Sequence, residues 1–244
     1  MILIFMHMDD GSPGYIADYL LRKSVPFKIV RAYAGDTVPS CDDGISGLVF
    51  MGGIMSVNDE LPWIKEEIRL IKEALDKEIP VLGHCLGGQL ISKALGQDIN
   101  QNPVNEVGWH NCHLTTEAKA SNLAAQWLGN ISDPFIMFHW HNETFSLPAG
   151  AHRLFSSEYC ANQAYVFNNN VLAMQCHVEM TLPLIKHWIT EWQEDLLEAS
   201  PSEQNFAQIS KNLEQHVIRL NQVAENLYAC WVSKIISRSC EAIA

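Results

Sequence analysis

The stretch IPVLGHCLGGQLISKALG, residues 79–96, joins an apolar run to a helical pattern through a glycine-rich turn. The apolar run predicts a buried strand over residues 79–85, and the spacing of the apolar residues that follow predicts a helix over 87–96. Apolar strands that alternate with helices are typical of a mostly parallel sheet covered by helices on both faces. The stretch therefore predicts an α/β fold with Cys85 at the turn between a strand and a helix.

The residues before this stretch repeat the same alternation. The predicted strands are ILIFMHM (2–8), FKIVRAY (27–33) and GLVFMGG (47–53), and the predicted helices are YIADYLLRKS (15–24) and residues 63–78. Pro62 stands where a first-turn proline starts a helix well. No internal repeat, linker or low-complexity tract is present. We therefore predict one domain over residues 1–195, followed by a helical C-terminal extension over 196–244 that packs on it.

Between about residues 100 and 180 the pattern changes to β structure, and after Pro183 it returns to helix. The predicted strands lie in EVGWHNCHLT, FIMFHWH, HRLFSSE and AYVFNNNVLAMQCHVE. Within the last of these, FNNNVLAMQ predicts a hairpin, because asparagine tolerates the positive φ of a tight turn. An apolar stripe at helical spacing then predicts a helix packed on the domain, with a dimer contact through the same face as an open alternative. The stripe comprises Phe206, Ile209, Leu213, Val217, Leu220, Ala224, Leu227, Trp231 and Ile235.

Composition narrows the class of protein. The 244 residues are 48% apolar and 18% charged, with a formal net charge of −12 that is scattered along the chain. Such a balance disfavours binding to nucleic acid or to anionic membranes. Seven cysteines without paired spacing argue against a disulfide framework, and MILIFMHMDDG lacks the features of a signal peptide. We therefore expect a cytoplasmic protein with reduced thiols and no nucleic-acid or membrane partner.

Cys85 has the surroundings of a nucleophile as well as those of a packed thiol. Gly83 and Gly87 flank it in the pattern G-x-C-x-G, which is the nucleophile elbow with cysteine in place of serine. Small neighbours are needed there because the nucleophile's own backbone is strained and bulky residues two positions away would collide with it. A position at the start of a helix also favours the thiolate, which is the reactive form.

Two further patterns supply what such a nucleophile needs. His177 and Glu179, in AMQCHVEMT, stand two residues apart at the end of a predicted strand, so the carboxylate can hold the imidazole in one tautomer. Considered alone, such a pair is more often a surface pair. Gly52 and Gly53 end another predicted strand, and the amides of Gly53 and Leu86 are the expected donors to an oxyanion. Considered alone, that glycine pair is a simple turn.

In this order, the motifs FMGGIMSVND, GHCLGGQ, HWHNETFSLPAGAHRLFSSEYCANQAY and QCHVE resemble the class I glutamine amidotransferases. The resemblance covers residues 45 to 190 and is strongest to stand-alone members similar to the amidotransferase domain of GMP synthase. It implies a flavodoxin-like architecture and a glutamine substrate. The site residues that it implies are the triad Cys85, His177 and Glu179, the oxyanion hole of Gly53 and Leu86, and the glutamine contacts Gln89, Trp140, His141 and Asn142, partly through backbone groups.

The sequence departs from the family pattern at four positions. His84 replaces a usually aliphatic residue before the nucleophile, and Gly88 stands where a larger residue is common. Ile54 and Val178 replace prolines after the glycine pair and between the histidine and the glutamate. None of these changes removes a reacting group. They concern the shape of the glutamine pocket, and hence which γ-glutamyl compound fits it.

The implied activity is hydrolysis of a γ-glutamyl amide through a γ-glutamyl thioester, with release of glutamate and ammonia and without a cofactor. No P-loop, no Ser-Gly-Gly-x-Asp signature and no dinucleotide fingerprint marks an acceptor site for the ammonia. Two interpretations follow from this. Either the ammonia passes to a separate synthetase subunit, or the protein is a γ-glutamyl peptidase built on the same scaffold.

Hypotheses of another class are a metal-binding protein or metallohydrolase, and a non-catalytic binding protein on the same scaffold. The histidines that could serve as ligands are His84, His110, His113, His139, His141 and His177. On a strand, however, His110 and His113 face opposite sides. We therefore predict no metal site, and the presence of all three triad residue types argues against a non-catalytic role.

Overall fold

The computed structural model describes residues 1–9, 12–41 and 44–241. Within these ranges the chain forms nine strands in one sheet and eight α-helices. The strands are β1 (Ile2–Phe5), β2 (Phe27–Val30), β3 (Gly47–Phe50), β4 (Val81–His84), β5 (Ile99–Leu114), β6 (Phe135–Phe145), β7 (His152–Ser157), β8 (Ala164–Phe167) and β9 (Val171–Met174). The helices are α1 (Tyr15–Arg22), α2 (Pro62–Asp76), α3 (Leu86–Ala94), α4 (Thr116–Ala120), α5 (Leu123–Leu128), α6 (Leu182–Glu191), α7 (Phe206–Ser210) and α8 (Leu213–Glu241).

The sheet has two halves. Its strand order is β2-β1-β3-β4-β9-β8-β7-β5-β6, and the five strands from β2 to β9 are parallel. The remaining strands pair antiparallel, beginning with the β9–β8 hairpin. The predicted α/β fold with a mostly parallel central sheet is therefore confirmed. The carboxyl ends of β3, β4 and β9 lie side by side, which is where open α/β sheets place their sites.

Alternate residues of each central strand face opposite sides of the sheet and enter two separate cores. In β1, Ile2 and Ile4 belong to one core, whereas Leu3 and Phe5 belong to the other. The first core is covered by α1, α6 and α8, and the second by α2 and α3. Both faces of the sheet are thus buried, which explains why its strands are continuous apolar runs.

Several predicted elements differ from the observed ones in their ends. β1 stops at Phe5 and β2 stops at Val30, after which a short 3-10 helix covers Ala32–Ala34. Beyond these strands, Met6 and Ala32 are buried and Met8 and Tyr33 are partly buried without extending the sheet, so the apolar pattern does not show where strand pairing ends. The predicted hairpin is present, with Asn168 and Asn169 at φ of 48° and 57° between β8 and β9.

α8 packs on the face of the sheet that borders the first core, and its buried apolar residues from Leu213 to Ile235 belong to that core. Gly47 of β3 makes room for it, because a Cβ there would lie 2.8 Å from Ile235 and 3.1 Å from Trp231. The predicted stripe is buried against the same chain, so this face is not open to a second copy. Phe206 is the exception, since it is exposed; it lies with the buried Ile209 on the short helix α7, so the stripe is divided between α7 and α8. Residues 242–244 of the predicted extension lie outside the described residues.

None of the helices over the described part of the chain combines the length and the apolar character that crossing a membrane requires.

Candidate active site

Cys85 occupies the turn between β4 and α3. Its backbone has φ of 50° and ψ of −109°, a left-handed conformation that costs a non-glycine residue about 1–3 kcal/mol. Its N–H donates to the carbonyl of Met174 at the end of β9, 2.8 Å away, and this bond ties the turn to the neighbouring strand. The residue is 7% exposed, and it lines a pocket. The strained turn thus places Cys85 at the carboxyl end of β4, where it borders the pocket.

Three glycines let the chain pass close to itself at this turn. A Cβ on Gly83 would lie 2.5 Å from the backbone of Gly87, and one on Gly87 would lie 2.0 Å from the carbonyl oxygen of Phe50. A Cβ on Gly88 would lie 2.5 Å from the carbonyl oxygen of Met174. The small residues are therefore needed for packing of α3 on β3, β4 and β9, rather than to keep clear of Cys85 itself. The same packing explains why a larger residue is absent at position 88.

His177 and Glu179 lie in the loop after β9, not on a strand as their spacing suggested. β9 ends at Met174, because the chain there leaves the sheet and the N–H of His177 instead donates to the carbonyl of Phe138, 2.8 Å away. The two side chains nevertheless meet, with His177 Nδ1 donating to Glu179 Oε1 at 2.7 Å. Both are about 2% exposed. A buried carboxylate therefore fixes the tautomer and the orientation of this imidazole.

His177 and Glu179 each favour the charged form of the other. Burial opposes the charge on His177, but the Glu179 carboxylate and the Cys85 thiol outweigh burial and raise the pKa of His177 to about 10. Burial likewise opposes ionisation of Glu179, while His84 and His177 lower the pKa of this carboxyl overall. An imidazolium at position 177 stabilises a thiolate at position 85 and can later give its proton to a leaving group.

The glycine pair after β3 forms the next part of the site. A Cβ on Gly52 would lie 3.1 Å from His177 Cε1 and 3.6 Å from Cys85 Cβ, so Gly52 lies between these two side chains. A Cβ on Gly53 would lie 2.8 Å from the side chain of Leu86. Leu86 begins α3, and first-turn amides of a helix have no carbonyl partner within that helix. The two predicted oxyanion donors thus belong to adjoining segments beside the nucleophile.

Gln175 is a buried polar contact of the nucleophile that the sequence motifs did not reveal. Its amide Nε2 lies 3.5 Å from Cys85 Sγ and can donate to it, and its Oε1 accepts from Gln89 Nε2 at 3.2 Å. Gln89, predicted to contact glutamine, thus also reaches the thiol through Gln175. The sequence offered one sign of this contact, because Gln175 stands two residues before His177 in the motif QCHVE.

A pocket of about 470 Å³ opens over Cys85 and His177. Gly53, Gln89, Trp140, His141 and Asn142 all line it, so the structure brings the predicted substrate contacts to the same place as the nucleophile. His141 turns its ring away from the pocket, since its side chain is 1% exposed and bonds to Glu106 and to the carbonyl of Glu143. Position 141 therefore meets the pocket through its backbone.

His84, the unusual residue before the nucleophile, connects the triad to α8. Its Nε2 is hydrogen-bonded to the hydroxyl of Tyr228 at 3.0 Å and lies 3.9 Å from Glu179 Oε2. All three side chains are almost completely buried, and burial lowers the pKa of His84. A helix outside the strands that build the site is thus linked, through His84, to the carboxylate that orients His177.

Glu106, His139 and His141 form a second buried cluster behind the pocket. One ligand atom of each lies within 4.8 Å of the others, a set that can hold a divalent metal ion. In the structure Glu106 is hydrogen-bonded to His141 at 3.0 Å and accepts from Gln163 Nε2 at 2.6 Å, whereas His139 Nδ1 lies 3.7 Å from the same carboxylate oxygen. Burial lowers the pKa of His139 to about 3, whereas the neighbouring histidines outweigh burial and lower the pKa of Glu106 to about 2.

Two of the histidines singled out in the sequence, His110 and His113, are not members of this cluster. His110 donates from Nε2 to the carbonyl of Val107, 3.0 Å away, and His113 lies 3.7 Å from Asp133 on the exposed side of β5. They do not meet, as the alternation along a strand predicts.

Comparison with known proteins identifies the family. The family model described as glutamine amidotransferase class-I matches residues 9–193. The chain therefore belongs to the class I glutamine amidotransferases, as its motifs suggested.

Relatives and solved structures agree with this assignment. The chain is 34% identical over 174 residues to the glutamine amidotransferase-like protein YfeJ of Salmonella typhimurium, covering 69% of this chain and 71% of that protein. It is 31% identical over 135 residues to a glutamine-hydrolysing GMP synthase subunit from Sulfolobus acidocaldarius, covering 54% of this chain and 66% of that protein. The crystal structure of a glutamine amidotransferase from Methylobacillus flagellatus superposes with a TM-score of 0.90 at 36% identity, covering 96% of this chain and 94% of that one.

Proposed function

We propose that the protein hydrolyses a γ-glutamyl amide bond with Cys85 as nucleophile, His177 as proton carrier and Glu179 as the group that orients His177. The observation that carries the proposal is the meeting of a strained Cys85 turn with a buried His177–Glu179 pair in one pocket. The family supports the same chemistry.

In the proposed reaction, the Cys85 thiolate attacks the γ-carbonyl carbon, and the carbonyl oxygen takes up the negative charge. The amides of Gly53 and Leu86 would bind that oxyanion. The bond between carbon and nitrogen then breaks, His177 gives its proton to the leaving nitrogen, and a γ-glutamyl thioester remains. Water, deprotonated by His177, hydrolyses the thioester to glutamate and regenerates the thiol. With glutamine as substrate the other product is ammonia.

Pocket charge fits the amino-acid end of such a substrate. Glu143 lines the pocket, and its Oε1 accepts from the Ser56 hydroxyl at 3.0 Å, which fixes the carboxylate on the side of the loop after β3. A fixed carboxylate there would pair with the α-ammonium of the γ-glutamyl group. The backbone at Trp140 to Asn142 and the side chain of Gln89 would supply further contacts.

The direct test is release of glutamate from glutamine by the purified chain and by Cys85→Ala and Cys85→Ser. Both variants should lose turnover by at least about 1,000-fold, because the nucleophile itself is removed. Cys230→Ala is the matched control, since this half-buried thiol on α8 does not line the pocket. Wild-type turnover by Cys85→Ala would show the assignment to be wrong.

The fate of the ammonia is a second question. One relative is named as a subunit of GMP synthase, which favours transfer of the ammonia to a separate synthetase subunit. If such a partner exists, proteins that co-purify with the chain should increase its glutaminase activity. If γ-glutamyl peptides are instead cleaved faster than glutamine by the chain alone, the peptidase interpretation is correct.

A further inference from the structure

The two sides of the active-site pocket have different chemistry, and the side that faces His177 is aromatic. On the proposed function, the leaving nitrogen must lie on this side, because His177 supplies its proton. The ring of Trp188 packs edge-on against the imidazole of His177, with centroids 5.1 Å apart. Whatever is attached to the leaving nitrogen therefore passes beside Trp188.

Two more tryptophans join Trp188 there. Trp192 lies 5.0 Å from Trp188 and 5.5 Å from Trp140, and Trp140 lies 6.0 Å from Trp188, measured between ring centroids. All three line the pocket, and their ring planes meet one another at 88°, 70° and 53°, so aromatic rings form this side of the pocket. The face of an aromatic ring carries partial negative charge and attracts cations.

Carboxylates complete the same wall. Asp195 lines the pocket one turn beyond Trp192, to whose carbonyl its N–H donates at 3.1 Å. Glu203 also lines the pocket, held by the amide of Asn105 at 3.0 Å and the hydroxyl of Ser200 at 3.2 Å. Neither lysine nor arginine occurs among the described residues that line the pocket. A positive group would meet complementary charge here, and a negative one would meet repulsion.

The pocket also has room beyond glutamine. Its volume of about 470 Å³ equals that of about sixteen waters in the liquid, whereas glutamine has only ten heavy atoms, so space remains for a leaving group larger than ammonia. Asp195 and Glu203 stand beyond the residues that match the family, which end at 193. The acidic part of this wall thus lies outside the shared sheet edge that carries Cys85.

From this wall we infer that the preferred substrate is a γ-glutamyl amide whose leaving amine carries a second, positively charged amino group, as in a γ-glutamyl diamine. The inference rests on the proposed function and names its substrate class. The reaction is the same amide hydrolysis: the bond from the γ-carbon to nitrogen breaks, and the nitrogen takes its proton from His177. The distant ammonium takes no part in bond changes and binds between the tryptophan faces and Asp195. An amino-acid leaving group, as in a γ-glutamyl peptide, would place a carboxylate against this wall.

A series of matched substrates tests the inference. We would measure kcat/KM for the γ-glutamyl amide of 1,4-diaminobutane, the uncharged γ-glutamyl n-butylamide, γ-glutamylglycine and glutamine. The diamine compound should exceed the butylamide by about tenfold, the size of one good cation–π contact, and γ-glutamylglycine should fall below both. The preference should weaken at high salt, because charges at an open pocket are screened.

Variants test whether the preference for the diamine compound depends on the aromatic and acidic residues of this wall. Asp195→Asn and Trp192→Leu should each bring the ratio of diamine compound to butylamide towards one. Glu194→Gln is the matched control, since Glu194 is an exposed neighbour that does not line the pocket, and it should leave the ratio unchanged.

A ratio near one in the wild-type protein, or a preference for γ-glutamylglycine, would overturn the substrate class while Cys85-dependent hydrolysis stands. Hydrolysis of all four compounds that persists in Cys85→Ala would instead overturn the proposed function.

Discussion

The catalytic floor, formed by the turns at the ends of β3, β4 and β9, and the C-terminal segment, residues 196–241, take part in the site in different ways. The floor places Gly53, Cys85 and His177 side by side. The C-terminal segment supplies no reacting group, yet its Tyr228 is hydrogen-bonded to His84 beside the triad. On the proposed function, the reaction belongs to the sheet edge that the family shares, and we propose that tuning and selectivity come from the segments that pack around this edge.

The largest effect is expected from removing His177, the proposed proton carrier of the catalytic floor. His177→Asn should lower kcat by about 1,000-fold, because neither the thiol nor the leaving nitrogen then has a partner for proton transfer. Circular dichroism should show the fold intact. A variant that folds and keeps kcat within a few-fold of the wild type would contradict the role given to His177.

The orienting carboxylate should reveal itself in the pH profile. Glu179 helps to raise the pKa of His177 to about 10, so the imidazolium persists until the pH approaches that value and is lost above it. In Glu179→Gln the pKa of His177 should fall, and the alkaline limb of kcat/KM should move to lower pH, with turnover at pH 8 reduced by about 100-fold.

Glu158→Gln, which changes an exposed carboxylate that does not line the pocket, is the control for this profile. An alkaline limb at the same pH in Glu179→Gln and Glu158→Gln would mean that Glu179 does not set the charge of His177.

Tyr228→Phe tests whether α8 influences the triad. Loss of the hydroxyl leaves the buried His84 Nε2 without this partner, beside Glu179. Leaving a buried polar group unsatisfied costs about 1–3 kcal/mol, so the variant should melt at a lower temperature. We expect kcat to fall by about threefold to tenfold with KM unchanged, since the hydroxyl bonds to His84 beside Glu179 and does not line the pocket.

Tyr19→Phe is the matched control, because Tyr19 is equally buried and packs against Tyr228 without a hydrogen bond to His84. If the two variants had equal kcat, α8 would be a packing element alone.

Metal removal should have the smallest effect. Glu106 is already bonded to His141 and to Gln163, His139 Nδ1 lies 3.7 Å from Glu106, and none of these groups carries the proposed chemistry. Treatment with a chelator should therefore leave both turnover and melting temperature unchanged. A stoichiometric divalent ion in the isolated protein, together with loss of activity after chelation, would point to the metal-dependent hypothesis instead.

The catalytic floor was largely predictable because its signals are local. A cysteine between glycines at a strand end can be recognised from a few residues, and the hairpin of Asn168 and Asn169 likewise. The pairing of His177 with Glu179 was predicted from a strand geometry that is absent, and it arises instead from a loop fixed by Phe138. Spacing alone could not distinguish the two, since both bring residues i and i+2 together.

The surroundings were not predictable for a different reason. Trp188 and Tyr228 lie in apolar helical patterns that indicate packing, and nothing in a pattern says which buried ring also borders a site. Glu106 meets His141 only because β5 and β6 pair in that register. Such contacts depend on tertiary pairing of distant segments, which periodicity does not encode.

The most direct test of the central claim is covalent labelling with a glutamine analogue that carries a diazoketone in place of the amide. We expect one equivalent bound, located on the peptide that contains Cys85, with activity lost in parallel and labelling slowed by glutamine. Cys85→Ser should not be labelled, and Cys230 should remain free of label. Turnover that survives complete labelling of Cys85, or inactivation with the label on another residue, would contradict the role of Cys85 as nucleophile.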